Sequence, residues 1–466
     1  MLRDWIEQAA GRQGGTVYLA EARGSGTLTY AGLLAAVGAW ERRLDEAGLP
    51  PGARIALRYD EPLEYATALV AIVAAGRVAV PLDPAAPPAD AARVLAVARP
   101  AVTVTNGTFG KTVFDSSERT RDDSGIFLCT SGTTGTPKGI LLRDEQLAHT
   151  ARSVVASHRL TQADRGYCPL PLFHVNAEVV GLLATLCAGA YLAVDRKFSR
   201  RGFWEMIAAQ RITWINAVPA IISILAMEPP LARPAGVRFV RSASAPLPKA
   251  ALERFESEVG VPVVETYGMT EAASMITANP VDGPRKPGSA GRPAGAEVRI
   301  ESPGAAASGE IGRVQIRGGG VITSYASGGR PGAFDADGWL DTGDLGYLDA
   351  DGYLFLVGRS DDVINRGGEK IYPRDIEEIL LAQPGVRSAA VVGAYDEVLG
   401  ERPVAYVVPD DGWAAADVET LLRKACAAEL PRHKQPSEYH VVAELPLGST
   451  GKISRRQLKD LVAAGR

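Results

Sequence analysis

Along the chain, short apolar runs of strand length alternate with longer stretches whose apolar residues recur at helical spacing. "RIALRY" and "VAVPL" stand on either side of the helical "PLEYATALVAIVAAG". The same alternation returns around "AYLAVD", "ITWINAV", "VRFVRSAS" and "VPVVETYG". Strands separated by helices predict βα units and a largely parallel sheet. After about residue 290 the texture changes to "AEVRIE", "GRVQIRG" and "GYLFLVGR", short strands cut by Gly, Asp and Pro turns. A β-rich subdomain is expected there.

A second change falls at "GRSDDVINRGGEKIYPRDIEEILL". Residues 359–362 offer few apolar anchors and suit a link between two bodies. Pro373 fits the first turn of a helix whose Ile376, Ile379 and Leu380 form one apolar stripe. The remainder reads as a small α+β domain of about 100 residues. The expected fold is therefore α/β. A large N-terminal domain, residues 1–358, would hold the βα subdomains and the β-rich one. A small, mobile α+β C-terminal domain, residues 359–466, would follow.

With 466 residues the chain exceeds what one compact core accommodates. A net charge of −4 without any basic block argues against a nucleic-acid surface, so an anionic ligand must be met by local positive groups. Cys129, Cys168, Cys187 and Cys426 lack CxxC spacing and read as buried thiols in a reducing compartment. "MLRDWIEQAAGRQGG" has the look of a short amphipathic helix without a signal-peptide core. The most apolar stretch, "ATALVAIVAAGRVAVPL", is interrupted by Arg77 and is too short to cross a bilayer. The expectation is a soluble cytoplasmic protein that meets neither membrane nor nucleic acid, with its oligomeric state open.

Four segments carry chemistry. In "TSGTTGTPKG", small residues let backbone N–H groups converge on an anion, hydroxyls add neutral donors, and Lys138 adds a charge. The spacing is not GxxxxGK[ST], and a plain glycine-rich hairpin turn is the other reading. In "ETYGMTEAAS", Tyr267 offers an aromatic face and Glu271 a carboxylate of the kind that holds Mg²⁺ beside a nucleotide, or else an N-terminal helix cap. In "GWLDTGDLGYLDADGYLFLVGRSDD", Asp344 is expected in a tight Gly-Asp turn as an acceptor for ribose hydroxyls, with Arg359 at a strand end. A charged hairpin rim would read the same way. In "PLGSTGKISRRQL", Lys452 opens a basic helix and is either an exposed lysine or a cation delivered to a reacting phosphate.

Together, in this order, "TSGTTGTPKG", "YGMTE", "TGD", "GRSDDVINRGGEKI" and "GSTGKI" resemble the adenylate-forming superfamily of acyl-CoA synthetases, peptide-synthetase adenylation domains and luciferases. The resemblance runs from about residue 25 to 460. "PLFHVNAEVVGLL", "RSASAPL" and "ANPVDGPRKPGSAGRPAG" are most similar to acyl-CoA synthetases, including oxalate-type small-carboxylate ligases. It implies ATP-dependent formation of an acyl-adenylate with pyrophosphate release, then transfer to the thiol of coenzyme A, with ATP, Mg²⁺ and coenzyme A taking part. Carried over, Thr130, Ser131, Gly132, Thr133, Thr134, Gly135 and Lys138 hold the β- and γ-phosphates. Ser244, Ala245 and Pro246 line the adenine site with Tyr267. Thr270 contacts the α-phosphate, Glu271 holds Mg²⁺, and Asp344 and Arg359 bind ribose. Lys452 bridges the substrate carboxylate and the α-phosphate. Asp361 is the hinge position, and Gly367 and Gly368 form the loop brought to the thiol.

The acid pocket is expected to be walled by His174, Val175, Asn176, Val179, Asn216, Ala217, Val218, Ser242, Ser244 and Met269, with His174 as a gate between acid and thiol. Asn176, Asn216 and Ser242 would need polar partners if buried. They suit a short or polar acid. No aspartate marks an ammonium site, so α-amino acids rank lower. No carrier segment follows residue 466, so the acceptor is expected to come from elsewhere. Two other readings stay open. One is a stand-alone adenylating enzyme that serves a carrier protein or an amine. The other is a non-catalytic nucleotide-binding protein.

Overall fold

The structure is a computed structural model that describes residues 1–110, 124–130, 137–302, 308–447 and 453–464. The expected βα alternation appears as two sheets. In the larger, Val263–Tyr267, Phe239–Ser242, Trp214–Ala217, Arg165–Cys168, Tyr191–Val194 and Val17–Glu21 lie side by side, each parallel to its neighbour. Antiparallel strands close both edges: Thr27–Thr29 on one side, Thr277–Ala278 and then Arg292–Pro293 on the other. The second sheet runs Thr108–Phe109, Val102–Thr105, Arg54–Arg58, Val78–Pro81, Gly125–Thr130 and Lys138–Arg143. Its middle strands are parallel and its two edges antiparallel.

Burial explains the residue pattern. Tyr191–Val194 and Trp214–Ala217 are buried at every position, as strands covered on both faces must be, and so read as continuous apolar runs. Helix Pro62–Ala74 begins with proline in its first turn and buries all but four of its residues, among them Leu69–Ala74 without a break. At ~1.5 Å per residue it is far shorter than a bilayer core. Among the described residues no helix is long and apolar enough to cross a membrane. Arg77, which interrupts the apolar run, is buried. Its guanidinium donates to the carbonyls of Leu49 (2.8 Å) and Ala75 (2.6 Å) and pairs with Asp45. The predicted N-terminal helix spans Leu2–Gln13 and buries Leu2, Ile6 and Ala9 on one face. All four cysteines are free thiols: Cys168 and Cys426 are buried, whereas Cys129 and Cys187 are only half-buried, a correction to the expectation of four buried thiols.

The β-rich segment holds Glu297–Glu301, Gly312–Arg317, Leu340–Leu348 and Leu354–Arg359 as a four-stranded sheet in that order. The chain forms two compact units, one made of residues 1–244, 255–299 and 315–340, the other of 245–254, 300–314 and 341–466.

In the second unit, Val386–Asp396 and Gly400–Pro409 form the long antiparallel pair of a five-stranded sheet, with Val386–Asp396 as its outer strand. Ala389, Val391, Ala405 and Val407 pack with Ile376, Leu380, Val418 and Leu422 on one face. Ala390, Val392, Val404 and Tyr406 pack with Leu445 and Leu458 on the other. Period-two alternation thus feeds two small cores. Helix Pro373–Leu381 starts at the predicted proline and buries Ile376 and Leu380. Glu377 from this helix accepts both guanidinium nitrogens of Arg455 (2.6 and 3.0 Å) and the Val391 N–H (2.7 Å), while Arg455 also donates to the Val391 carbonyl (2.9 Å). One bidentate pair ties two helices to strand Val386–Asp396.

Removing one half strands the other charge, which typically costs about 3 kcal/mol, whereas replacing both by apolar groups is often neutral. Arg455→Met should speed hydrogen exchange along Val386–Asp396 by roughly 10²-fold in the full-length protein, and Glu377→Leu added to it should recover most of the protection. Equal protection in wild type and single variant would show that the pair contributes nothing.

Candidate functional site

Thr130 and Lys138 are cross-strand partners at the ends of Gly125–Thr130 and Lys138–Arg143, so the glycine-rich segment joins an antiparallel pair. Ser131, Gly132, Thr133, Thr134 and Gly135 lie outside the described residues, as does Lys452. The Lys138 ammonium sits 5.3 Å from the centroid of the Tyr325 ring, within reach of its π face. The Tyr325 hydroxyl donates to Glu271 Oε1 at 3.0 Å, and Glu271 also accepts the Ile322 N–H through its carbonyl (2.8 Å). Tyr325 therefore connects the cation beside the loop to the carboxylate. Sequence reasoning missed it, and the signal was faint: one aromatic residue in the polar "TSYASGG".

Glu271 does not start the predicted α-helix but lies in a single 3-10 turn, Thr270–Ala272, after extended Met269. Ala273 and Ser274 follow with positive φ, and the Ser274 N–H returns to the Met269 carbonyl (3.0 Å). This knot explains Gly268: a Cβ there would lie 1.4 Å from the Ser274 carbonyl oxygen. Tyr267 ends strand Val263–Tyr267 and is half-buried. A lone buried carboxylate suits Mg²⁺, which takes one or two carboxylates when phosphates fill its remaining positions. Among the described residues no group of three acidic, histidine or cysteine side chains offers a self-sufficient cage.

The expected pocket residues divide. Asn176, Asn216 and Ser242 are buried, whereas His174, Val175 and Met269 are half-buried. Asn176 Nδ2 donates to Ser244 Oγ (3.3 Å) and Asn216 Nδ2 to Asn176 Oδ1 (3.2 Å). Ser244 is exposed and adopts φ +74°, in the left-handed region. Arg241, also missed, lies wholly inside and donates through Nη1 to Asn176 Oδ1 (2.8 Å) and Asn216 Oδ1 (3.1 Å). Its strand partner is Asn216, so the two side chains share a face of the sheet. The His174 carbonyl, two residues before the π-helical segment Asn176–Leu183, accepts the Glu178 N–H (3.2 Å). Glu178, unremarked in the sequence, is fully buried with neither carboxylate oxygen partnered, and burial pushes its pKa well above the usual range.

In the second unit, Ala245 and Pro246 are exposed. Asp344 is not in a tight turn but within strand Leu340–Leu348, which continues through Gly343 despite its positive φ of +77°. Its cross-strand partner is Arg359, whose Nη1 donates to Asp344 Oδ1 (3.0 Å) and to the Thr342 carbonyl (3.1 Å). Asp361 lies in the 3-10 turn Ser360–Asp362, its carbonyl accepting Lys459 Nζ (3.3 Å). Gly367 and Gly368, both with positive φ, make the turn between Ile364–Arg366 and Glu369–Ile371.

The AMP-binding enzyme family matches residues 6–125 and 107–326, and the AMP-binding enzyme C-terminal domain matches 375–452. A sulfoacetate–CoA ligase of Cupriavidus necator is 44% identical over 342 residues, 72% of this chain and 67% of its own. An oxalate–CoA ligase of Arabidopsis thaliana is 35% identical over 468 residues, 89% of each chain. The o-succinylbenzoate CoA synthetase of Bacillus subtilis, solved with its acyl-adenylate intermediate, superposes with a TM-score of 0.85 at 29% identity, covering 98% of each chain.

Tyr325→Phe removes the hydroxyl from Glu271 and keeps the ring over Lys138. Magnesium-ATP affinity, measured calorimetrically, should fall about tenfold or more, the worth of one hydrogen bond to a charged group, with the melting temperature shifted by no more than about 2 °C. Unchanged affinity would show that the hydroxyl does not orient the carboxylate.

Proposed function

This chain belongs to the AMP-binding enzymes, and we propose that its substrate is a small carboxylic acid bearing a second anionic group, with coenzyme A as acceptor. It is an AMP-forming acid–thiol ligase that uses ATP, Mg²⁺ and coenzyme A. An oxygen of the acid attacks the α-phosphorus, the bond to the β-phosphate breaks, and pyrophosphate leaves. The thiolate of coenzyme A then adds to the acyl carbon, and AMP departs as the C–O bond breaks. The observation that carries this reading is the Lys138–Tyr325–Glu271 connection, which supports Lys138 as the phosphate-binding cation and Glu271 as the magnesium-binding carboxylate. Sulfoacetate, oxalate and o-succinylbenzoate each carry two acidic groups, which supports the substrate class.

Within this reading Thr130, residues 131–135 and Lys138 grip the departing pyrophosphate. Thr270 touches the α-phosphate, and Glu271 would hold Mg²⁺. Ser244, Ala245, Pro246 and Tyr267 receive adenine, and Asp344 and Arg359 receive ribose. Val175, Asn176, Asn216, Ser242 and Met269 bound the acid, with His174 as its gate towards the thiol. Asp361 is the hinge, and Gly367 and Gly368 accompany the thiol. Lys452 stands between carboxylate and triphosphate, where a cation offsets the repulsion of two anions as the bond forms.

Mixing the protein with magnesium-ATP and an acid panel, with and without coenzyme A, tests the reading by pyrophosphate release and mass spectrometry. Pyrophosphate should depend on an acid, and acyl-CoA should form only with coenzyme A. An adenylate that never becomes a thioester would transfer the assignment to an enzyme serving a carrier protein or an amine. Lys452→Ala should lower adenylate formation by about 10²-fold or more while thioester formation from supplied acyl-adenylate stays within a few-fold. Equal losses in both steps would remove the lysine from its role.

A further inference from the structure

Arg241 presents an electrostatic problem that the reaction described so far does not use. Its side chain is 0% exposed, and its Nε has no hydrogen-bond partner. Among the described residues no carboxylate pairs with it; two amide oxygens, of Asn176 and Asn216, are its acceptors. The titratable groups beside it are neutral. Burial pushes the Cys168 thiol up to about 11. Burial, with the charges of Arg241 and Arg238, pushes His158 down to about 3. Burial lowers Arg241 itself to about 9, so the guanidinium remains a cation at neutral pH. A buried ion without a counter-ion costs several kcal/mol, and natural interiors ordinarily pair it.

The surroundings say where a counter-ion would come from. Asn176, Asn216 and Ser242 are the residues assigned above to the acid, and Arg241 contacts the first two and precedes the third. Ser242, the next residue along the strand, turns to the other face of the sheet, and its Oγ is buried and unpartnered there. Asn176 extends the network to Ser244 through its Nδ2.

We infer that Arg241 is a specificity-determining residue: its guanidinium, held by Asn176 and Asn216, favours acids whose second group is an anion such as a carboxylate or sulfonate. The inference rests on the reading that this region receives the acid. Behind a low-dielectric wall the attraction between the guanidinium and a second anion is strong, while a hydrocarbon in the same place leaves the charge uncompensated. The competing account is purely structural, with Arg241 merely bracing the two asparagines.

Matched acid pairs separate the two accounts: malonate with propionate, succinate with butyrate, sulfoacetate with propionate. The readout is the ratio of kcat/KM within each pair, from pyrophosphate release by the full-length enzyme, alongside the KM for ATP. Wild type should favour the dianion by about 10²-fold or more, the usual scale for a desolvated charge pair. Arg241→Met should bring the ratio to within about tenfold of unity with the KM for ATP changed less than about threefold, and Arg241→Lys should restore part of it. Asn216→Asp, nearly isosteric, sets a carboxylate where the guanidinium already donates and should also abolish the preference, which keeps the test open if Arg241→Met does not fold. A wild-type preference that survives undiminished in Asn216→Asp, and in Arg241→Met where that variant folds, would overturn the role of Arg241. Acyl-CoA formation without any dianion preference would overturn both Arg241 and the substrate class but leave the ligase. Absence of pyrophosphate with every acid would overturn the ligase reading and this inference with it.

Discussion

In-register parallel pairing of Trp214–Ala217, Phe239–Ser242 and Val263–Tyr267 is the constraint on which the candidate site of the first unit depends. It sets Asn216 beside Arg241, Ala217 beside Ser242, and Ser242 beside Glu265. Side chains of parallel partners share a face, so a slip of one residue would turn Arg241 away from both asparagines. Trp214–Ala217 and Phe239–Ser242 finish together and Val263–Tyr267 runs two residues further in the same direction, so the segments that leave them start from one edge. Ser244 departs with a positive φ after Phe239–Ser242, and the Thr270–Ala272 turn departs after Val263–Tyr267. Ligands of open α/β sheets gather beyond such carboxyl-terminal strand ends.

Two buried arginines and one half-buried arginine meet the cost of losing water in different ways. Arg77 spends its donors on main-chain carbonyls and pairs with Asp45. Arg455 takes both oxygens of Glu377, which is itself held by the Val391 N–H. Arg241 has neutral amides alone. The first two are complete as they stand, and a structural role accounts for them. The third has spare positive potential beside residues proposed to bound the acid, which is why it, and not the others, is the one proposed to bear on substrate choice.

Much of the fold was legible because its signals are local. Strand-length apolar runs, the proline that opens helix Pro373–Leu381, and the alternation that splits Val386–Asp396 between two small cores can each be read from a dozen residues. The phosphate-loop, "YGMTE" and "TGD" segments announced the chemistry for the same reason. Local reading failed where a neighbour is distant in sequence. Asp344 read as a turn residue from its Gly-Asp context, yet hairpin register places it in a strand opposite Arg359. Glu271 read as part of a helix, yet the positive φ values of Ala273 and Ser274 end its turn after three residues.

By itself, then, the sequence determined the order and type of most elements and the family chemistry, since periodicity and motif are properties of neighbouring residues. Tertiary structure alone decided which polar groups are stripped of water and who meets them. Tyr325 reaches Glu271 across 54 positions, and Arg241 reaches Asn176 across 65. Neither partnership leaves a trace in spacing, because desolvation and strand register arise only once the sheets have assembled.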